Sequence, residues 1–152
     1  MMDRRLAGID IGTLTCRLLI ADVPPSGPLK EIRSERRILR LGEGVDQSKR
    51  LKPEAMDRLL CCLREWQGII DDHHVQLRAV VATSAVRDAQ NRQELLDRVK
   101  SETGMNVEIL TGEEEARRTM LGIRSGLPSN ISDVLAVDIG GGSTEFILAR
   151  RA

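Results

Sequence analysis

One short pattern occurs twice, near either end of the 152-residue chain. Residues 7–21 read Ala-Gly-Ile-Asp-Ile-Gly-Thr-Leu-Thr-Cys-Arg-Leu-Leu-Ile-Ala, and residues 135–149 read Leu-Ala-Val-Asp-Ile-Gly-Gly-Gly-Ser-Thr-Glu-Phe-Ile-Leu-Ala. Laying Asp10 on Asp138 pairs Gly12 with Gly140 and Thr15 with Ser143, and the apolar run Leu18 to Ala21 falls on Phe146 to Ala149. Each copy predicts an apolar strand, a tight turn of Asp, Gly and small hydroxyl residues, and a second apolar strand. A chain built on two such hairpins is expected to place them as facing halves of a cleft.

The turns have a chemistry of their own. Glycine lets backbone approach a ligand with no Cβ in the way, and successive N–H groups in such a turn form a concave anion site. Ser and Thr hydroxyls add donors, while a neighbouring Asp can hold a hydrated divalent cation. Gly140-Gly141-Gly142-Ser143-Thr144 after Asp138 therefore fits a phosphate loop beside a metal-facing carboxylate. Asp10 with Gly12, Thr13 and Thr15 repeats the arrangement. An ordinary hairpin that merely needs glycine is the competing account of one copy; three glycines with Ser-Thr, echoed by a second Asp-Ile-Gly, favour the functional one.

Composition removes several classes of partner. Lys plus Arg balances Asp plus Glu at 23 each, so no overall field draws the protein to nucleic acid or membrane. One Trp, one Phe and no Tyr leave no platform for stacking bases. No apolar run approaches the ~20 residues that span a bilayer, and no secretory pattern precedes the first strand; the expectation is a soluble, cytoplasmic protein. Cys16, Cys61 and Cys62 form neither a disulfide framework nor a zinc spacing. Cys61-Cys62 is expected to pack within a helix, and His73-His74 to be a loop or strand edge.

The remaining pattern is α/β. After the first hairpin (5–11 and 15–22), residues 29–41 read as a third strand. Pro53 suits a helix start, and Met56, Leu59, Leu60, Leu63, Trp66, Ile69 and Ile70 mark one face of a helix. Leu77 to Ala82 predicts a buried strand. Asn91 with Glu94 resembles a capping box opening a helix closed by Gly104, Val107 to Leu110 a further strand, and Glu113 to about Ser125 a further helix. The expected architecture is a mixed sheet with an antiparallel start and crossover helices.

Five segments, in order, resemble the exopolyphosphatase and guanosine pentaphosphate phosphatase (Ppx/GppA) family of the actin-like ATPase superfamily. They are Ile9-Asp10-Ile11-Gly12, Leu41-Gly42-Glu43-Gly44, Ala82-Thr83-Ser84-Ala85-Val86-Arg87, Thr111-Gly112-Glu113-Glu114-Glu115-Ala116-Arg117 and Val137 to Glu145. The resemblance implies an actin-like (ribonuclease H-like) lobe over 1–126, a linker at 127–133, and, at 134–152, the first hairpin of a second lobe cut short. It also implies Mg2+ dependence and release of the terminal phosphate of polyphosphate or pppGpp. On that pattern the 152-residue piece is the N-terminal part of an enzyme, expected to be inactive alone and to dimerise through its unfinished hairpin. One position departs from the family turn Asp-x-Gly-Ser-Asn-Ser: Leu14 stands where the amide would be.

The resemblance also distributes roles. Glu115 matches the catalytic glutamate, although acids at a helix start also favour the dipole and Thr111 with Glu114 forms a capping box; the split into Glu114 as cap partner and Glu115 as base rests on the resemblance. Asp138 and Asp10 are the expected metal carboxylates. Glu145 would orient water or metal, or stand inert on its strand. Arg87, after Thr83-Ser84, suits a phosphate oxygen because guanidinium binds phosphate bidentately, with Ser84 as a further phosphate contact. A binding module that grips a nucleotide without turnover, and a sugar-kinase-like phosphotransferase, are the competing functions.

Overall fold

The computed structural model describes residues 3–128 and 130–150; Ser129 of the expected linker, the first two residues and the last two lie outside them. The chain runs β1 (Arg4–Ile11), β2 (Thr15–Val23), β3 (Lys30–Ile38), α1 (Val45–Ser48), α2 (Pro53–Asp72), β4 (Leu77–Ala82), α3 (Ser84–Asp88), α4 (Arg92–Thr103), β5 (Val107–Ile109), α5 (Gly112–Ser125), β6 (Val134–Ile139) and β7 (Thr144–Ala149). Five strands form one sheet in the order β3-β2-β1-β4-β5. The first three are antiparallel to one another, while β4 and β5 run parallel to β1. β6 and β7 make a separate antiparallel pair, with β7 against α5. Among the described residues no helix is long and apolar enough to cross a membrane.

Strand alternation decides what the main sheet buries. Ala7, Ile9 and Ile11 of β1 and Cys16, Leu18 and Ile20 of β2 point to one face, where they pack on Met56, Leu59, Leu60, Leu63 and Trp66 of α2 and Leu95 and Val99 of α4. The opposite face carries Gly8, Asp10, Arg17 and Leu19, all exposed. β4 follows the same rule: Val80 and Ala82 are buried while Leu77, Arg78 and Ala79 are exposed. The expectation of a fully buried strand is corrected here, because a period-2 strand on a sheet covered on one side buries only alternate residues. Cys62 is buried and Cys61 exposed, so only one of the pair packs inside.

The expected cap of α4 changes in detail. Helix α4 does begin after Asn91, but that side chain does not cap it. Its Oδ1 instead accepts the Leu51 N–H at 2.8 Å and its Nδ2 donates to the Leu51 carbonyl at 3.0 Å, tying the loop before α2 to the start of α4. The one-turn helices α1 and α3 are elements that the sequence pattern does not predict. His73 and His74 lie in the turn after α2, as the loop reading expected; His73 is the residue that ends the helix, its ring 2.8 Å from the Ile69 carbonyl.

Trp66 is wholly buried, and its indole N–H has no hydrogen-bond partner among the described residues. An unpaired buried donor is costly, so Trp66→Phe trades a smaller ring against relief of that donor. We expect it to cost about 1 kcal/mol or less, whereas Trp66→Ala should cost about 3–5 kcal/mol. Urea denaturation of the two variants checks this; equal losses would show that ring volume alone matters.

Candidate active site

The duplicated turns are alike in backbone as well as in sequence. The Gly12 N–H donates to the Thr15 carbonyl at 3.0 Å, and the Gly140 N–H to the Ser143 carbonyl at 2.9 Å. The first turn is braced from behind: the Leu14 carbonyl accepts N–H groups from both Leu39 and Arg40, and the Thr13 carbonyl accepts the Gly42 N–H, each at 2.9 Å. Arg40 holds a left-handed backbone at φ 51° to reach this position. The buried Ser84, first residue of α3, lies with its Oγ 2.7 Å from Thr13 Oγ1. The two turns also meet directly. A Cβ on Gly141 would fall 2.6 Å from Leu14 Cβ, and one on Gly142 would fall 2.7 Å from Thr13 Oγ1 and 3.0 Å from Ser84 Oγ. These two glycines are needed for close approach.

Between the turns lies a polar cleft of about 220 Å³. Of the residues singled out from sequence, Asp10, Gly12, Thr13, Thr15, Ser84, Glu115, Asp138, Gly140, Gly141, Gly142, Ser143 and Glu145 line it, and so does Leu14. Two do not. Thr144 shares the outer face of the hairpin with Phe146, since alternate strand residues point to opposite sides. Arg87, expected at a phosphate oxygen, donates from Nη1 to Glu115 Oε2 at 3.0 Å and to the Leu110 carbonyl at 2.8 Å. Its guanidinium is occupied in holding Glu115 at the start of α5.

The cleft also contains groups that sequence reasoning missed, namely Arg17, Arg36, Thr83 and Ile139. Arg17 was detectable: it directly faces Asp10 across the β1–β2 pair, two residues past the turn. Arg36 lies in a strand of mixed charge, and only the β2–β3 register places it beside Arg17. A larger hollow of about 740 Å³ on the open sheet face shares Asp10, Arg17 and Arg36 with the cleft but has none of the glycines or hydroxyl residues of the two turns on its walls.

Negative charge is crowded here. Asp138 and Glu145 stand opposite one another on the β6–β7 pair. The surrounding cleft walls strip water from the Asp10 carboxyl and push it up although the residue keeps exposed surface; Arg17 opposes that, and the charge of Asp138 adds to it. Glu115, its side chain 14% exposed, is likewise raised, first by burial and then by the charges of Glu145 and Asp10, against the hydrogen bond from Arg87. Glu114 differs. Arg117 and Arg118 hold its carboxyl down at about 2, and its backbone N–H donates to Thr111 Oγ1 at 3.2 Å. One glutamate thus belongs to the helix start and the next to the cleft.

The sequence pattern of the Ppx/GppA phosphatase family matches residues 19–152. The chain belongs to that family. Exopolyphosphatase 2 of Mycobacterium tuberculosis is 40% identical over 152 residues, covering 95% of this chain and 48% of that protein. A Ppx/GppA crystal structure from Aquifex aeolicus superposes with a TM-score of 0.85 at 38% identity, over 97% of this chain and 48% of that one. An exopolyphosphatase structure from Cytophaga hutchinsonii gives 0.90 at 37% identity, over 97% and 47%. The chain thus spans about half the length of these Ppx/GppA relatives, and the α/β fold of actin-like ATPase type is theirs.

Proposed function

We propose that the two turns and Glu115 form the phosphate-binding and water-activating part of a phosphoanhydride hydrolase that removes the terminal phosphate of inorganic polyphosphate or of pppGpp. The observation that carries this reading is the closure of two Asp-Ile-Gly turns on one cleft, with a half-buried carboxylate on its wall. Backbone N–H groups of Gly140 to Gly142 with Ser143 would receive the terminal phosphate from one side, and Gly12, Thr13 and Thr15 from the other. Glu115 takes the proton of the attacking water as its oxygen bonds to phosphorus and the bridging anhydride bond breaks; the shortened chain leaves with the bridging oxygen. Arg87 acts on Glu115, fixing its direction, and Glu145 turns the water toward phosphorus.

The residues fit a magnesium ion. Asp10 and Asp138 face one cleft, the charge of one raising the carboxyl of the other, a repulsion that a divalent cation relieves. Magnesium is usually held by one or two carboxylates, with water and substrate phosphates completing its shell. No group of three or more potential ligand side chains converges among the described residues, consistent with such a sparse site. When bound, the ion supplies charge compensation at the phosphate oxygens. The deciding measurement is phosphate release by the full-length protein from polyphosphate and from pppGpp, with magnesium and with chelator. We expect metal-dependent release; no release from either substrate with magnesium present would overturn the reading.

A further inference from the structure

We propose that Arg17 and Arg36, at the sheet side of the same cleft, form a second anion subsite that grips the internal phosphates of a linear polyphosphate chain. This rests on the functional reading above and concerns the long inorganic chain as ligand.

The argument starts from register. Asp10, Arg17 and Arg36 are direct neighbours on β1, β2 and β3, so they form a row across the open sheet face. Strands lie about 4.8 Å apart, which puts Arg36 about 10 Å from the Asp10 position along that row. Two arginines directly opposite one another across a strand pair repel. Neither makes a hydrogen bond or an ion pair among the described residues. Their neighbours do: Arg37 reaches Glu65 at 2.6 Å and Arg33 reaches Glu35 at 2.8 Å. The repelling pair is the one that faces the cleft. It also borders the hollow into which the cleft opens, so a chain leaving the reaction centre along the sheet meets Arg17 and then Arg36. Guanidinium groups bind phosphate oxygens bidentately, and a phosphate lying between the two would cancel their repulsion. A short ligand that ends at the turns does not extend to Arg36.

The test is binding of long-chain polyphosphate and of inorganic triphosphate, in magnesium, to the Glu115→Gln protein so that bound chain is not consumed. Adding Arg36→Ala should weaken the long chain about tenfold, the scale of one lost charge-assisted contact, and move triphosphate by less than about twofold. Arg36→Lys should recover most of the loss. Arg37→Ala removes the same charge from the same strand but from the other face, and should change neither ligand. Unchanged long-chain affinity in Arg36→Ala would overturn the subsite, as would equal losses for both ligands or for both arginines. If the parent protein bound neither polyphosphate, the functional reading itself would fall, and the subsite with it.

Discussion

Glu115→Gln is expected to lower kcat for phosphate release by about 10²–10⁴-fold, the usual contribution of a positioned general base, while KM stays within about threefold. Gln keeps the shape and can still accept the Arg87 N–H, so the cleft geometry survives and only the proton acceptor is lost. A fall in kcat with constant KM marks an interaction used in the transition state. Retained turnover would remove Glu115 from the chemistry. The pH profile gives an independent reading. The Glu115 carboxyl is raised by burial and by neighbouring acids, so as pH falls the charged form is lost earlier than for an ordinary carboxylate. Activity should therefore decline on the acid side above the usual carboxylate range. Arg87→Ala removes a hydrogen bond that lowers the group, so the acid limb should shift upward, and Arg87→Lys should restore part of it.

Gly141→Ala should be nearly as damaging through geometry alone. Its new Cβ would lie 2.6 Å from Leu14 Cβ and 3.1 Å from the Leu14 backbone nitrogen. Leu14 cannot retreat freely, because its carbonyl is held by two N–H groups from the segment after β3. The turns must part by a fraction of an ångström to about 1 Å, and misplacement on that scale can cost about 10²-fold in rate. The melting temperature should hardly move, since no residue of β6 or β7 belongs to the hydrophobic core cluster. Gly8→Ala, with nothing within 4 Å of the added carbon, is the matched control. A fully active Gly141→Ala enzyme would show that the turns are not held in contact during turnover.

What could be read from the residues was whatever depends on local pattern. The twin Asp-Ile-Gly turns predicted two strand–turn–strand hairpins, which β1–β2 and β6–β7 form, and the spacing from Met56 to Ile70 marked the buried face of α2. Partners set by tertiary placement were not legible. Asn91 has the chemistry of a helix cap, yet the Leu51 backbone lies close enough to claim its amide. Arg87 has the chemistry of a phosphate ligand, but the end of β5 places a carbonyl and Glu115 within its reach. Arg36 became a cleft residue only once β3 was paired to β2 in register. Side chains with several possible partners are decided by what the fold brings near them.

The β6–β7 ribbon has one more consequence. Asp138 and Glu145 point toward the cleft, while Val137 and Phe146, their immediate neighbours in sequence, lie on its outer side, Phe146 74% exposed. A single thickness of backbone separates an oily surface from two acidic groups of the proposed reaction centre. Whatever packs on the outer surface therefore sits one residue along the chain from Asp138 and one from Glu145.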